Sequence, residues 1–302
     1  MSYKINLQQV NPVLGEDDAA PEGVLSPFEG ELDGGGDVLK LLGLPSGTGM
    51  HPIRDLGATE EAGPEVHATL TKVRDALYEA ARTGRAWRYR VDGLSASDRK
   101  ILFDALGQGE VSVVIAGGER EGEAQIMETV LPGAWIGRAT HADGDIAAEW
   151  VEVGDAPRAL REVAVTRPRA DLPVDMLSAP RGAMNVMSVL NEIRDRATHW
   201  RPGDGNHVMN FTLFPMTPAD SAFLAKVLGE AGVRISSGGY GAARVVMTGV
   251  RNVWAVQYLN GLGAVILDTL EIGDVPDAVL ASPEDFEDSA ERLNDILEAY
   301  VS

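Results

Sequence analysis

Apolar residues along the chain follow two patterns, one with the helical period and one with the two-residue period of strands. Leu70, Val73, Leu77 and Ala81 recur at helical spacing before Gly84, which predicts an amphipathic helix and its end. A second helix begins after Ser95 with a capping pattern. The predicted strands of this half are Ala86–Val91, Val111–Ala116, Ala124–Leu131, Ala134–Ala139 and Asp145–Val153.

The same order of elements starts again at Met184. A helix is followed by a strand, by a second helix capped at Thr217, and by four more strands. Because the last four strands of each half leave no room for helical crossovers, we expect mostly antiparallel sheets in an α+β fold. The strands predicted here are Val208–Phe214, Val233–Ser236, Ala243–Thr248, Val253–Leu259 and Val265–Ile272.

The second half of the chain also repeats particular residues of the first. Ala124–Ala159 aligns with Ala243–Ala278 at a constant offset of 119 positions. We therefore predict two tandem αβαββββ repeats related by a pseudo-twofold axis. The identical pairs are Ala124/Ala243, Thr129/Thr248, Trp135/Trp254, Gly144/Gly263, Glu152/Glu271, Gly154/Gly273, Asp155/Asp274, Pro157/Pro276 and Ala159/Ala278.

The composition along the chain predicts four segments. Residues 1–36 are rich in acids and glycine and poor in large apolar residues, which favours a flexible acidic N-terminal segment. We expect a first repeat domain at 37–163 and a linker at 164–183, where three prolines interrupt any period. A second repeat domain then covers 184–302 and ends in an amphipathic helix.

Composition also narrows the chemistry. The absence of cysteine excludes disulfides, thiolate metal sites and cysteine nucleophiles, and the five histidines have no metal-ligand spacing. The formal net charge of −20 lies almost wholly in residues 1–65 and 268–302, which disfavours nucleic acid and would attract a basic partner. Alternatively, the acidic ends only maintain solubility. Without a secretory signal or a spanning apolar run, we expect a cytoplasmic protein that does not insert into membranes.

Our candidates for catalysis or metal binding are four duplicated acids, Glu152, Asp155, Glu271 and Asp274, while a histidine metal site built from distant segments stays open. In two symmetric halves such carboxylates could bind a cation or act as acid and base. The simpler interpretation is that the two aspartates cap turns before Pro157 and Pro276. No nucleophile elbow or phosphate-binding loop accompanies them.

The densest polar and aromatic stretch lies near residue 250. Alternation predicts that Asn252, Trp254 and Tyr258 share one strand face, while Arg251 and Gln257 share the other. Aromatic and arginine side chains are favoured in recognition surfaces, although ordinary cross-strand pairing would use the same residues. Our candidate protein-binding residues are Tyr240, Arg244, Arg251, Asn252, Trp254 and Gln257.

This stretch resembles the C-terminal signature of the HupH/HyaF/HoxQ family of nickel–iron hydrogenase maturation proteins. The resemblance runs from about Pro180 to Leu297, with a weaker match over the first repeat. It rests on GYG at 239–241, RNVW at 251–254, QY at 257–258, DVP at 274–276 and DSAERL at 288–293, together with NFTLFP at 210–215.

The resemblance implies a non-enzymatic chaperone that binds the iron–sulfur small-subunit precursor of an uptake hydrogenase before twin-arginine export. It also implies a thioredoxin-fold accessory partner and no cofactor. Many relatives have Asn-Cys where this chain has Ala242 and Ala243, so a role of that cysteine in handling iron or sulfur is excluded here. The alternative is a small-ligand-binding protein or an enzyme that uses the duplicated acids in a cleft between the repeats.

Overall fold

The computed structural model describes residues 63–117, 121–238 and 242–301, and it has an α+β fold. The helices of the described residues are α1 (Pro64–Thr83), α2 (Ala96–Leu106), α3 (Arg158–Thr166), α4 (Val186–His199), α5 (Pro218–Leu228) and α6 (Pro283–Val301). The strands are β1 (Trp87–Arg90), β2 (Val111–Ile115), β3 (Glu121–Glu128), β4 (Ala134–His141), β5 (Ile146–Val153), β6 (His207–Asn210), β7 (Glu230–Ser237), β8 (Ala243–Thr248), β9 (Val253–Leu259) and β10 (Val265–Ile272). The predicted order αβαββββ is thus present in each half. The flexible segment predicted at 1–36 lies outside the described residues.

The chain divides into two compact units. The described part of the first unit comprises residues 63–162, 232–236 and 279–301, and that of the second comprises 163–231 and 237–278, apart from the gaps given above. In the first unit the strands lie in the order β1-β5-β4-β3-β2, with the middle of β7 beside β2. In the second unit the order is β8-β9-β10-β6. The pairs β1–β5, β5–β4, β4–β3, β3–β2, β8–β9, β9–β10 and β10–β6 are antiparallel.

The first unit buries one face of its sheet against helices. Helix α1 begins with proline at its first position, and the N–H of Gly84, with φ of 66°, closes it. Its apolar stripe, which includes Leu70, Val73 and Leu77, packs in the same cluster as Ile136 and Val151 of the sheet. The apolar residues that recur at helical spacing in the sequence therefore form the buried side of α1.

The C-terminal helix α6 also belongs to the first unit, which corrects the predicted second domain of 184–302. Its buried residues Phe286, Leu293 and Leu297 lie in the same apolar cluster as α1. The Ser289 hydroxyl donates to the carbonyl of Pro132 at 3.0 Å, which fixes the helix against this sheet. An amphipathic pattern identifies the apolar stripe of a helix but not the surface that will cover it.

In the second unit, one carboxylate joins the starts of α4 and α5. Asp220 is completely buried and forms a capping box with Thr217, where the sequence predicts a helix cap. Its Oδ1 also accepts the N–H groups of Met184, Asn185 and Val186 at 2.8–3.0 Å. Burial alone would raise the pKa of Asp220, but these hydrogen bonds to the charged form hold it well below the ordinary value.

The predicted linker at 164–183 forms part of the second unit's core. Leu172 and Val174 are buried in its apolar cluster. The Arg169 N–H donates to Gly249 at 2.9 Å, and its carbonyl accepts from the Arg251 N–H at 2.9 Å. The prolines remove the regular apolar period on which the prediction depended, yet they do not prevent burial.

Candidate functional site

The candidate protein-binding residues do not form one patch. Arg244 lies on β8 and faces Gln257 of β9 directly across the sheet. Arg251 and Asn252 lie in the turn that joins β8 to β9, at the far end of β8 from Arg244. Tyr240 lies outside the described residues.

Trp254 and Gln257 are buried, which corrects the expectation of an accessible strand face. Trp254 is 2% exposed and Gln257 is 4% exposed. On one face of β9, Ala255 joins the apolar core, and on the other face Val256 is fully buried. Alternation predicts which side chains share a face, but it does not show that both faces are covered. In this conformation neither side chain is available to a partner.

Arg244 and Gln257 belong to a polar row that crosses the sheet. The third member is Asp268 of β10, which is paired with Gln257 in register and accepts its Nε2–H at 3.5 Å. All three side chains lie on the helix-covered face, like Ala255 and Leu270. The row explains why polar residues occur in otherwise apolar strands.

The first unit has an equivalent row at the positions 119 residues earlier. Gln125, Arg138 and Glu149 pair in register across β3, β4 and β5. Glu149 is buried and is bound by Arg138 at 2.6 Å and by Arg99 at 3.0 Å. The polar row that contains Arg244 therefore has a structural counterpart in the first unit.

Asn252 has a structural role in its turn. It is the one non-glycine residue with positive φ, 62°, among the described residues. Its carbonyl accepts the N–H of Gly273 at 2.8 Å. Asparagine is among the few side chains that tolerate this left-handed conformation, which accounts for asparagine in the RNVW motif. The neighbouring Arg251 is half-buried, and its Nε is buried without a hydrogen-bond partner in the part of the chain that the structure describes.

The duplicated glutamates are buried in different environments. Glu152 forms an ion pair with Arg88 at 2.7 Å. Glu271 instead accepts from the Tyr258 hydroxyl at 3.2 Å and from Asn206 Nδ2 at 3.4 Å. Burial raises the pKa of both glutamates, and this effect is larger than the lowering of the pKa by their hydrogen bonds. Burial, followed by the charge of Glu271, also raises the pKa of Tyr258.

The duplicated aspartates stabilise turns, as the simpler interpretation proposed. The Oδ1 atoms of Asp155 and Asp274 each accept the N–H of the following residue at 2.8 Å. Asp155 also binds Arg161 at 2.6 Å. Within residues 63–117, 121–238 and 242–301, no group of three or more histidine, aspartate or glutamate side chains is arranged to hold a metal ion.

A third buried glutamate, Glu128, is one that sequence reasoning did not single out. Burial raises the pKa of Glu128 to about 7, although the N–H of Gly133 donates to it at 3.3 Å. It lies opposite Trp135 on the same sheet face as Glu152. Such buried carboxyl groups change stability with pH, as described below.

Sequence reasoning also missed an exposed apolar surface around β6. The strand predicted at Val208–Phe214 ends at Asn210, because the Asn210 Oδ1 accepts the Thr212 N–H at 3.0 Å and starts a turn. Leu213 is consequently 82% exposed and Phe214 is 41% exposed. The signal in the sequence was the asparagine at the start of NFTLFP, a residue typical of turns.

None of the described helices is long and apolar enough to cross a membrane.

Comparison with known proteins gives one family. The conserved region described as "HupH hydrogenase expression protein, C-terminal conserved region" matches residues 67–165 and 183–300. The chain is 41% identical to the hydrogenase expression/formation protein HupH of Rhizobium leguminosarum bv. viciae, over 86% of this chain and 89% of the relative. It is 33% identical to the hydrogenase-1 operon protein HyaF of Escherichia coli strain K12, over 86% and 90%.

One solved structure, the hydrogenase expression protein HupH from Thiobacillus denitrificans ATCC 25259, is 26% identical. It aligns with 32% of this chain and 79% of its own, with a TM-score of 0.29. The family assignment depends on the sequence matches, which span most of the chain and include both halves. The chain belongs to the HupH family of hydrogenase expression proteins.

Proposed function

We propose that this protein is a non-enzymatic accessory chaperone in the maturation of an uptake nickel–iron hydrogenase. Its client would be the iron–sulfur small-subunit precursor, bound in the cytoplasm before twin-arginine export. The observation that carries the proposal is 41% identity to a hydrogenase expression/formation protein over most of both chains. The formal net charge of −20 supports it, because it attracts a basic signal segment.

We further infer that the two halves are copies of one ancestral unit. Each half has the element order αβαββββ and pairs its first strand with its last. The polar rows containing Arg138 and Gln257 occupy the same positions in both. A chaperone built from two such units can change one copy for recognition while the other keeps the fold.

Tyr240 and Arg244 remain our proposed client contacts from the original set. Arg244 is half-buried at the start of β8, four residues after Tyr240. Arg251 and Asn252 shape a turn, and Trp254 and Gln257 are interior residues, so we assign those four a structural role.

Recovery of the client from an extract tests the proposal. Tagged full-length chain would be incubated with a hydrogenase-expressing extract that contains the precursor, with or without its signal peptide, and a thioredoxin-fold accessory protein. We expect the precursor to be recovered by the wild type and less of it by Arg244→Ala. Arg234→Ala, an arginine of β7, is the matched control and should behave as the wild type. Failure to recover the precursor in either form would contradict the proposal.

A further inference from the structure

Strand β6 forms an open edge of the second unit's sheet. It pairs only with β10 among the described strands. The Phe211 N–H donates to the Asp268 carbonyl at 2.8 Å, and backbone groups alternate in direction along an antiparallel strand. The N–H and C=O groups of Val208 and Asn210 therefore point away from β10. These groups can pair with an added strand.

The corresponding strand of the first unit, β1, is protected against such pairing. Its outward backbone groups belong to Arg88 and Arg90, and the side chain of Arg85 covers the ring of Trp87 at 4.5 Å. Charged side chains on an edge strand oppose the addition of another strand. In β6 the two equivalent positions hold valine and asparagine, and Val208 is 39% exposed.

Apolar side chains continue from one end of β6. The turn after Asn210 carries Leu213 and Phe214, and the ring of Phe214 stands edge-on to the buried ring of Phe211, with centroids 6.3 Å apart. Ile266 of β10 is 46% exposed. Two residues later on the same strand, the Asp268 N–H donates to the Thr212 Oγ1 of the turn at 2.8 Å. These contacts fix the exposed apolar residues beside the open edge.

The other end of β6 is acidic. Asn206, just before the strand, exchanges two hydrogen bonds with the backbone of Asp274, at 2.8 and 3.1 Å. Asp204, Asp274 and Asp277 are all exposed. The one arginine of this loop, Arg201, directs its guanidinium to the carbonyls of Thr198 and Trp200. The open edge thus runs from an acidic end to an apolar end.

We propose that the β6 edge binds an extended segment of a partner protein as an added strand, and that this segment has basic residues at one end and apolar residues at the other. Main-chain pairing would supply affinity, while the charges and apolar contacts would select the sequence. The identification of this partner as the hydrogenase precursor rests on the proposed function, because signal peptides in general have a basic region followed by an apolar region. A peptide is favoured over a second copy, because two identical edges paired antiparallel would place acidic ends against apolar ends.

A binding titration tests the edge directly. The probe is a fluorescein-labelled peptide of twelve residues, with three arginines followed by alternating valine and threonine. A second peptide has the reverse order, and a third has proline in place of each valine. Against full-length wild type, we expect saturable anisotropy with one of the first two peptides. The proline peptide should bind at least tenfold more weakly, because it lacks the N–H donors of the valine positions and its rings disfavour a paired strand. Equal binding of all three would overturn the proposal.

Variants of the chain identify the edge that is used. Val208→Pro removes one outward N–H group, and an edge strand tolerates proline at such a position. We expect this variant to bind the peptide at least tenfold more weakly. Ile146→Lys changes an apolar strand residue of similar exposure in the first unit and should bind as the wild type does. Unchanged binding by Val208→Pro, with its circular dichroism and unfolding midpoint retained, would overturn the proposal. So would self-association of the wild type that Val208→Pro abolishes.

Hydrogen exchange provides a second readout. In the free protein, the amides of Val208 and Asn210 should exchange faster than those of Met209 and Phe211. Peptide should protect Val208 and Asn210 selectively, and protection elsewhere without protection there would contradict the proposal. If wild type and Val208→Pro recover the precursor equally well, the β6 edge is not its binding site, while the proposed function stands. Peptide binding at the edge without recovery of precursor would reject the client and keep the edge.

Discussion

Asn252 and Gly133 share one left-handed backbone conformation, with φ of 62° and 84°, at equivalent positions of the two halves. The carbonyl of each accepts a glycine N–H, from Gly273 at 2.8 Å and from Gly154 at 2.9 Å. Asn252 thus corresponds to a glycine in the other half. The shared requirement is a backbone shape, not a contact with a partner.

We therefore predict that Asn252→Gly is tolerated and that Asn252→Ala lowers the free energy of unfolding by about 1 kcal/mol, because alanine is strained at positive φ. Gly133→Ala should cost more, since its Cβ would lie 2.5 Å from the ring of Phe286. Urea unfolding of the three variants measures the differences. Equal stability of Asn252→Gly and Asn252→Ala would contradict the assignment of a backbone role.

Asp220→Asn should lower the free energy of unfolding at pH 7 by about 2–3 kcal/mol, because an amide cannot accept every N–H that the carboxylate accepts. The pKa of Asp220 is lower in the folded state, so its stabilisation is complete above about pH 4, the unfolded pKa, and is lost as the pH falls through the folded pKa. The difference between variant and wild type should shrink below about pH 4. Asp98→Asn, in the exposed cap of α2, is the matched control and should have a smaller effect. An equal loss in both variants would count against the joining of α4 and α5 by Asp220.

Glu128 should make the protein less stable as the pH rises. Because burial raises its folded pKa to about 7 from 4.5, its destabilisation grows between these two values and is constant above them. Glu128→Gln should abolish this dependence and be more stable than the wild type at pH 8, by up to about 3 kcal/mol. Unfolding of both proteins between pH 4 and 8 measures it. Parallel stability curves would contradict the raised pKa.

The duplicated tryptophans Trp135 and Trp254 should respond differently to replacement by phenylalanine. Trp135 Nε1 donates to the Gly154 carbonyl at 2.9 Å, whereas Trp254 Nε1 is buried without a hydrogen-bond partner in the described residues. Trp135→Phe should therefore lower the free energy of unfolding by about 1–3 kcal/mol more than Trp254→Phe does. A chemical denaturation series compares them. Equal costs would show that the Trp254 N–H also has a partner.

Local patterns in the sequence predicted most of the elements and their caps. Thr217 caps α5 as predicted, in a capping box with Asp220, and Ser95 accepts the N–H of Asp98 as expected. These features depend on residues three positions apart. The site was predicted less well, because its burial depends on distant segments. Nothing in the alternation along β9 shows that Trp254 would be covered, and nothing in the stripe of α6 shows that it would pack with α1.

The open edge at β6 depends both on a local sequence signal and on the pairing of distant segments. Asn210 marks the end of the strand locally. The pairing of β6 with β10, however, determines that the backbone N–H and C=O groups of Val208 point away from the sheet. A single sequence does not show which strand lies at the edge of a sheet.

The most direct test is a titration of purified small-subunit precursor against the purified full-length chain at low and high salt. We predict saturable one-to-one binding that weakens as salt increases, because the formal net charge of −20 attracts a basic client. The mature, folded small subunit without its signal should bind at least tenfold more weakly. Binding of the mature subunit as tightly as the precursor, or no binding of either, would contradict the proposed role.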